Sequence, residues 1–500
     1  MTKFEAVVIG AGNAGLVAAT KLEQNGIHTL LLERHNIPGG CATTFRRGNY
    51  EFEVSLHQLS GIGSPEKPGV LRKLFDDIRI TDKVELIEES ELYRIIAPNH
   101  LDLTLPSGVS ELQLKLQDEF PHEHRSIESF FDTAMKVARE YHLVIPHLKY
   151  SGDSDLVSNA CPSFCRYGLL TTENVLNSFF KDRHLKNAIA PYWTYLGIPT
   201  SELTFAEFAL VLIGYILSKP CHVKGGSQSI SSAILDSFSS AGGAYRLNCG
   251  AAKISTEKNR VTGVLTESNE FIECQYVVSN ASPLITFGQL LGRDPPDHVK
   301  KDFRSRRQGV SAFCIYLGLD CSPDKLNITT ATTFIQDKDT ADITDKSLYS
   351  IDEANWCTLT CYNFVDPELA PNNKSIVVLA ILQYAEPWIA LPKPKYFAAK
   401  NSFAKKLVKL AEKTFPDIGK YIEVAEIASP LTMMRYLNSP GGAIYGFKQN
   451  IQDTPLFRDN LSDIEGLFSA GSWTTMGGFQ PTYLSGDHSA NQIIKKHNDL

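Results

Sequence analysis

Gly10, Gly12 and Gly15 stand in GxGxxG spacing, directly after the β-branched run Ala6 to Ile9 and at the start of a helical stretch, Ala14 to Asn25, that Gly26 ends. A second apolar run, His28 to Glu33, closes on an acid 23 residues after Gly10. Strand, tight turn, helix, strand and acid at this spacing predict a dinucleotide-binding βαβ unit. Gly10 allows the turn, Gly12 lets backbone approach a pyrophosphate, and Gly15 lets the helix pack closely on the strand. The helix amino terminus offers its unpaired N–H groups to the anion. Glu33 accepts hydrogen bonds from a ribose 2′-hydroxyl and repels a 2′-phosphate, so the nucleotide is of FAD or NAD type rather than NADP.

The segment after Glu33 separates FAD from NAD. An NAD dehydrogenase continues with further βα units. Here the strand gives way to Pro38, Gly39 and Gly40 and then to an alternating ribbon, Phe45 to Glu53, without a helix. A second glycine doublet just past the ribose acid suits a chain that tracks a long cofactor beyond its pyrophosphate towards an isoalloxazine ring. The expected cofactor is FAD.

With 500 residues and 43% hydrophobic content, the chain has material for a large core, and roughly 150 residues per domain points to two or three domains. Its formal charge of −7 supplies no positive field for nucleic acid. The ten cysteines form no CxxC pair and have no His at ligand spacing, so no metal site is expected, and free thiols in a reducing compartment are. Met1 to Glu5 run straight into the first strand with no signal-peptide pattern, so a cytoplasmic protein is expected. The longest apolar stretch, Phe205 to Leu217, falls short of the ~20 residues that span a bilayer, and reads as a core helix or a lipid-touching surface.

Two further segments read as parts of the same cofactor site. Val223 to Ser229 lead into a helix-like stretch at Ser231 to Ser240, a hairpin turning at Asn259, and a short strand ending in Ser279-Asn280-Ala281. Near the end, Gly466 to Gly471 is a buried strand, and a helix runs from about Gln480 to Lys496 with Pro481 in its first turn.

At this point the chain resembles the phytoene desaturase, carotenoid isomerase and retinol saturase family of flavoproteins, within the amine oxidase and GDP dissociation inhibitor superfamily. The carriers are GAGNAG at 10–15, PGGCATTFRRGNYEFEVSLHQLSG at 38–61, KGGSQSISSAI at 224–234, VVSNASP at 277–283, SPLTMMRYLNSPGGAIYG at 429–446 and LFSAGSWTTMGGFQPTYLSG at 467–486. The resemblance implies Gly10, Gly12 and Gly15 on the pyrophosphate, Glu33 on the adenosine ribose, and Gly39 and Gly40 beside the phosphates. It implies Ala251 or Ala252 at the adenine edge, Gly471 near the ribityl chain, and Gly478, Phe479 and Gln480 facing flavin N1 and the C2 carbonyl. Ala14 and Arg34 complete the cofactor-binding candidates. A helix amino terminus at Gly478 would itself stabilise negative charge on reduced flavin. Two departures stand out: Ser472 where relatives have an acid, and Ser55 where they have a glycine.

The catalytic candidates are His57, beside the expected flavin edge, and Arg435, Tyr436 and Tyr445, in a segment that returns towards the flavin in this family. His57 reads either as a proton donor or as a hydrogen-bonded structural histidine. Of Arg46 and Arg47, at least one reads as a solvated turn residue. Cys41, after the glycine doublet, reads as a packed free thiol rather than a flavin attachment point.

The expected architecture is α/β: a Rossmann-like FAD-binding domain from 1–64, 221–284 and 455–500, with a discontinuous mixed α+β substrate domain from 65–220 and 285–454. The resemblance implies a flavin oxidoreductase that desaturates, saturates or isomerises C=C bonds of a lipophilic polyene such as a carotenoid or retinoid, with hydride passing at flavin N5. A tunnel for such a substrate opens onto lipid, so peripheral membrane contact is expected. Two alternatives share the fold: a flavin amine oxidase, whose paired aromatics would come from Tyr436, Tyr445 and Tyr483, and a non-enzymatic lipid-binding carrier like the GDP dissociation inhibitors.

Overall fold

The computed structural model describes residues 4–150, 154–292, 294–450, 453 and 463–499. The expected domain boundary at 454/455 lies outside the described residues.

A five-stranded, all-parallel sheet is built in the spatial order Leu467–Ser469, Tyr276–Ser279, Ala6–Ile9, Thr29–Leu32 and Ala244–Arg246. All four residues of Ala6–Ile9 are buried, as a central strand covered on both faces requires. The period of two sorts them: Ala6 and Val8 pack towards the helices, Val7 and Ile9 towards the opposite layer. On the helical face lie Asn13–Gln24, Gly226–Ser240 and Phe479–Asn498. The opposite face is covered by an antiparallel three-stranded sheet, Ala251–Glu257, Arg260–Thr266 and Phe271–Glu273, through Ile254, Val261 and Val264. This is a Rossmann-type α/β layer structure. Helix Val70–Asp77 also belongs to its core: Leu71, Leu74 and Phe75 are buried there, with Phe75 edge-on to Tyr483. The core of this α/β layer structure therefore extends past residue 64.

The two long segments between these pieces meet in a single seven-stranded sheet, ordered Ile422–Ala428, Ser311–Leu319, Ser375–Gln383, Trp356–Cys361, Thr332–Gln336, Glu91–Ala97 and Leu101–Pro106. The joint is the parallel pair of Thr332–Gln336 with Glu91–Ala97, where Thr333 faces Arg94. Helices His124–Tyr150 and Phe205–Ser218 pack on one face of this sheet. The hairpin Thr44–Arg47 and Tyr50–Glu53 packs on the other, through Tyr50 and Phe52 against Tyr316.

Most of helix Phe205–Ser218 is core, while Leu210, Val211 and Gly214 on its other face are half-buried and Leu217 is 62% exposed. Phe205, Phe208, Leu212, Ile213 and Ile216 are buried, and Leu212 is 1% exposed, because neighbouring helices and the sheet cover it. Among the described residues, no helix is long and apolar enough to cross a membrane.

Candidate active site

The glycine turn is fixed by close backbone approach. Gly10 adopts φ +92°, and its N–H donates to the Leu32 carbonyl. A Cβ on Gly15 would fall 1.9 Å from the Gly10 carbonyl oxygen, so only glycine lets the helix start so near the strand. Gly12 caps helix Asn13–Gln24 without a side chain and bridges to Gly39, whose N–H donates to the Ala11 carbonyl at 2.7 Å. A Cβ on Gly40 would stand 3.4 Å from the Gly12 Cα. The structure thus brings Gly10, Gly12, Gly15, Gly39 and Gly40 into one cradle at a helix amino terminus, with Ala14 buried just inside that helix.

Asn280, in the loop after the strand Tyr276–Ser279, ties this cradle to the carboxyl-terminal segment. Its Nδ2 donates to the Gly10 carbonyl at 3.3 Å, and its Oδ1 would lie 2.5 Å from a Cβ on Gly471. The Gly471 N–H in turn donates to Ser485 Oγ at 3.0 Å. Gly478, at φ +104°, starts helix Phe479–Asn498. Asn13 Nδ2 donates to Thr482 Oγ1, so the amino termini of two helices converge and present their N–H groups to one region. Gln480 Oε1 accepts from Ser60 Oγ at 2.8 Å, which anchors the second helix to the loop carrying His57.

Glu33, expected at the adenosine ribose, is 9% exposed and both carboxylate oxygens accept backbone hydrogen bonds, Oε2 from Ala11 N–H and Oε1 from His35 N–H. The Cys249 N–H donates to the Glu33 carbonyl, which places the strand opened by Ala251 beside it. Ala251 is half-buried, while Ala252 and Arg34 are exposed.

The catalytic candidates separate. The resemblance implies Arg435 and Tyr436 near the flavin, but they occupy the exposed face of the short helix Pro430–Leu437, with Tyr436 58% exposed. The Tyr436 ring lies 6.0 Å from the His35 ring, two residues beyond Glu33, and Arg435 sits over Tyr436. The reason is local: Asn438 at φ +49° ends that helix, and Gly441 and Gly442 reverse the chain, so the residue that returns inside is Tyr445. Tyr445 packs against Gly197 and Gly477, with burial pushing its phenol upward from the ordinary value.

His57 lies in a packed aromatic cluster. Its Nδ1 is hydrogen-bonded to Thr360 Oγ1 at 2.8 Å and approached by Tyr362 Oη at 3.3 Å, and its ring is stacked with Tyr195. Burial, with a smaller contribution from neighbouring His222, lowers its pKa to about 4, so His57 is neutral at pH 7. Gln58 organises the opposite side of the cluster. Its Oε1 accepts from the Tyr192 and Tyr195 hydroxyls, its Nε2 donates to Glu89 Oε2 and the Leu92 carbonyl, and its own carbonyl accepts from Tyr215. Burial raises the phenols of Tyr192, Tyr195 and Tyr362 well above their ordinary value, keeping them protonated donors.

Sequence reasoning missed several of these groups. Asn280 stands inside the VVSNASP motif at 277–283, but no spacing rule marks a long-range contact. Glu53 is fully buried: it accepts from the Ser55, Leu56 and Ser227 N–H groups and from Ser227 Oγ, locking the hairpin to helix Gly226–Ser240. Burial raises its pKa against these opposing hydrogen bonds. Ser55, the departure from glycine, donates to the Cys41 carbonyl and so reinforces the same loop. Cys41 itself has its thiol pushed up to about 11 by burial and by Glu53, which leaves it a thiol rather than a nucleophilic thiolate.

The chain matches the model of the family described as flavin containing amine oxidoreductase over residues 13–494. It is similar to an all-trans-retinol 13,14-reductase of Danio rerio, 24% identical with 99% of this chain and 86% of that protein covered. It is also similar to a chloroplastic prolycopene isomerase of Arabidopsis thaliana, at 22% identity over 94% of this chain and 78% of that one. Among solved structures, a putrescine oxidase bound to putrescine shares the fold at a TM-score of 0.65 and 14% identity, over 99% of each chain.

Proposed function

The chain belongs to the flavin containing amine oxidoreductase family and is an FAD-dependent oxidoreductase, and from that premise we propose that its substrate is a lipophilic polyene, of carotenoid or retinoid type, changed at a C=C bond. The observation that carries this reading is the aromatic cluster around His57. Tyr192, Tyr195, Tyr215, Phe334 and Tyr362 pack there ring against ring, with a neutral histidine at the polar end of the cluster. Such an aromatic surface suits a flat conjugated chain by stacking and apolar contact.

The cradle fits FAD: the glycines leave room where a Cβ would intrude, two helix amino termini converge, and Glu33 closes the ribose end. Gly10, Gly12, Gly39 and Gly40 would hold the diphosphate, Glu33 the ribose, and Gly478 to Gln480 the flavin edge. When bound, the flavin supplies hydride exchange with carbon. The protein's own residues hold and orient the polyene, exclude water, and manage the proton at His57. We take the parallel sheet with its helices as the cofactor unit and the seven-stranded sheet as the wall over the substrate.

The amine oxidase alternative calls for paired aromatic side chains facing the flavin, with Tyr436, Tyr445 and Tyr483 as candidate members. Tyr436 is on the surface and Tyr483 is fully buried against Phe75, so these residues do not meet over one site. Mass spectrometry of lipid extracts from cells with and without the gene tests the proposal. A polyene gaining or losing two hydrogens, or changing geometry alone, supports it, whereas an unchanged polyene pool with a consumed amine overturns it.

For membrane contact, we propose the surface carrying Leu143, Leu156, Leu169 and Leu170, each more than two-fifths exposed, on elements packed around the end of helix His124–Tyr150.

A further inference from the structure

Beside the aromatic cluster lies a carboxyl that the scaffold does not neutralise. Glu89 is 7% exposed, and among the described residues it forms no ion pair; the nearby Lys219 is taken by Glu88. The groups facing it are Glu91, Tyr192, Tyr195, Tyr215, Cys221 and Tyr362, none of them cationic. One oxygen, Oε2, holds Gln58, while Oε1 is buried with no hydrogen-bond partner. Burial, with Glu91 adding to it, pushes this carboxyl up to about 8, so it carries a proton at neutral pH.

A second orphan lies on the way to His57. Thr332 Oγ1 is also buried and partnerless. Thr332 pairs directly across the sheet with Thr360, so the two side chains share a face, and Thr360 Oγ1 holds His57 Nδ1. Glu89 and Thr332 both contribute to the wall of one small cavity, together with Tyr93, Ser90 and Thr330. Two unpartnered oxygens on the wall of a polar cavity call for internal water, which gives each of them a partner.

We propose that Glu89 stores the proton that balances hydride transfer at the substrate, passing it through internal water along Thr332 and Thr360 to His57. The proposal rests on the polyene reading above. In the saturating direction one alkene carbon gains a hydride, with its electron pair, from reduced flavin. Its neighbour gains a proton from His57 Nε2 as Nδ1 takes one from Thr360. The O–H bond of Glu89 breaks to refill the chain through water, leaving a carboxylate that solvent reprotonates. Desaturation reverses every transfer from the form in which Glu89 has first lost its proton to solvent and stands as the accepting carboxylate. Neutral His57 serves as a relay in either direction, and Glu89, which touches no substrate, is a positioning residue for the proton.

Infrared spectroscopy of the FAD-loaded protein tests the store without turnover. Wild type should show the carbonyl band of a protonated carboxylic acid at pH 7, titrating away near pH 8, and Glu89→Gln should lose it while keeping the bond to Gln58. Thr332→Val, which leaves Glu89 and Gln58 intact, should keep the band. With all-trans-retinol as probe, kcat at pH 7 should fall by about a hundredfold in Glu89→Gln, with loss of the basic limb near pH 8, and Thr332→Val should lower kcat without moving KM. A wild type with no band component titrating near pH 8, such a component surviving in Glu89→Gln beside any band from the buried Glu53, or pH profiles identical to wild type in both variants would overturn the proposal. A wild type that keeps the band but changes no polyene sinks the functional reading, and the proton's destination with it.

Discussion

Asn280 reaches back to Gly10: its amide donates to the Gly10 carbonyl at 3.3 Å, and the same side chain stands against Gly12, Gly15 and Gly471. A residue in the exit loop of a neighbouring parallel strand thereby holds the glycine turn of the first, and couples it to the carboxyl-terminal segment at Gly471. Asn280→Ala removes one net hydrogen bond of about 1 kcal/mol and leaves space beside the cradle, so FAD should bind about fivefold more weakly. Titrating apo-protein with FAD measures this. Gly15→Ala is harsher, because the added Cβ meets backbone rather than a movable side chain, and it should yield protein that purifies without yellow colour.

Glu33→Ala should weaken FAD binding by about ten- to a hundredfold through a lost charge-assisted ribose contact of roughly 1.5 to 3 kcal/mol. The backbone bonds that Ala11 and His35 donate to this carboxylate add a second effect. Their loss should lower the Tm of the apo-protein too, so the variant is not silent in the absence of cofactor. Differential scanning calorimetry on apo-protein separates the two: an unchanged apo Tm would mean those backbone bonds contribute nothing.

The first βαβ unit was legible because its information is local. A β-branched run, glycines at fixed offsets and an acid at the end of the next strand each have a short-range physical meaning, and the strand Ala6–Ile9 and helix Asn13–Gln24 follow within a residue or so. The aromatic cluster was not legible, because it is assembled by pairing across long separations. His57 meets Thr360, and Gln58 meets Glu89, Tyr192 and Tyr195, through side chains with no shared periodicity. Tyr436 and Tyr445 differ for a related reason: Asn438 and the Gly441-Gly442 reversal between them decide which one faces inward. Likewise, the apolar run at 205–217 could not reveal which layers would cover it.

The buried titrating groups give opposed pH signatures. His57 and His222 have folded pKa values lowered from 6.5 to about 4, so the unfolded chain binds their protons first, and their contribution to stability is present above pH 6.5 and lost as pH falls towards 4. Glu89 is raised from 4.5 to about 8, so its contribution is present below 4.5 and lost as pH rises towards 8. Relative to wild type, Glu89→Gln should therefore gain Tm as pH rises from 5 to 8, and His57→Gln should gain Tm as pH falls from 6.5 to 4.5. Thermal melts of the three proteins across this range check both signs, and a difference that does not vary with pH would show that the group does not titrate in the folded state as described.

Membrane contact, finally, separates a surface leucine from a buried one. Leu169 and Leu170 are 45% and 44% exposed, whereas Leu212 is 1% exposed. A charge at Leu212 buries an unpaired carboxylate in the core, so Leu212→Asp should cost about 3 kcal/mol or more, and it reports on folding rather than on lipid. The double substitution Leu169→Asp and Leu170→Asp should leave Tm and flavin content near wild type while reducing co-sedimentation with phosphatidylcholine vesicles. The chain's net charge of −7 offers no general attraction to anionic headgroups, so apolar contact would drive any binding, which should then persist at high salt. If wild type stays entirely in the supernatant, the exposed leucines are not a lipid contact, and a polyene would have to reach the protein on a protein carrier instead.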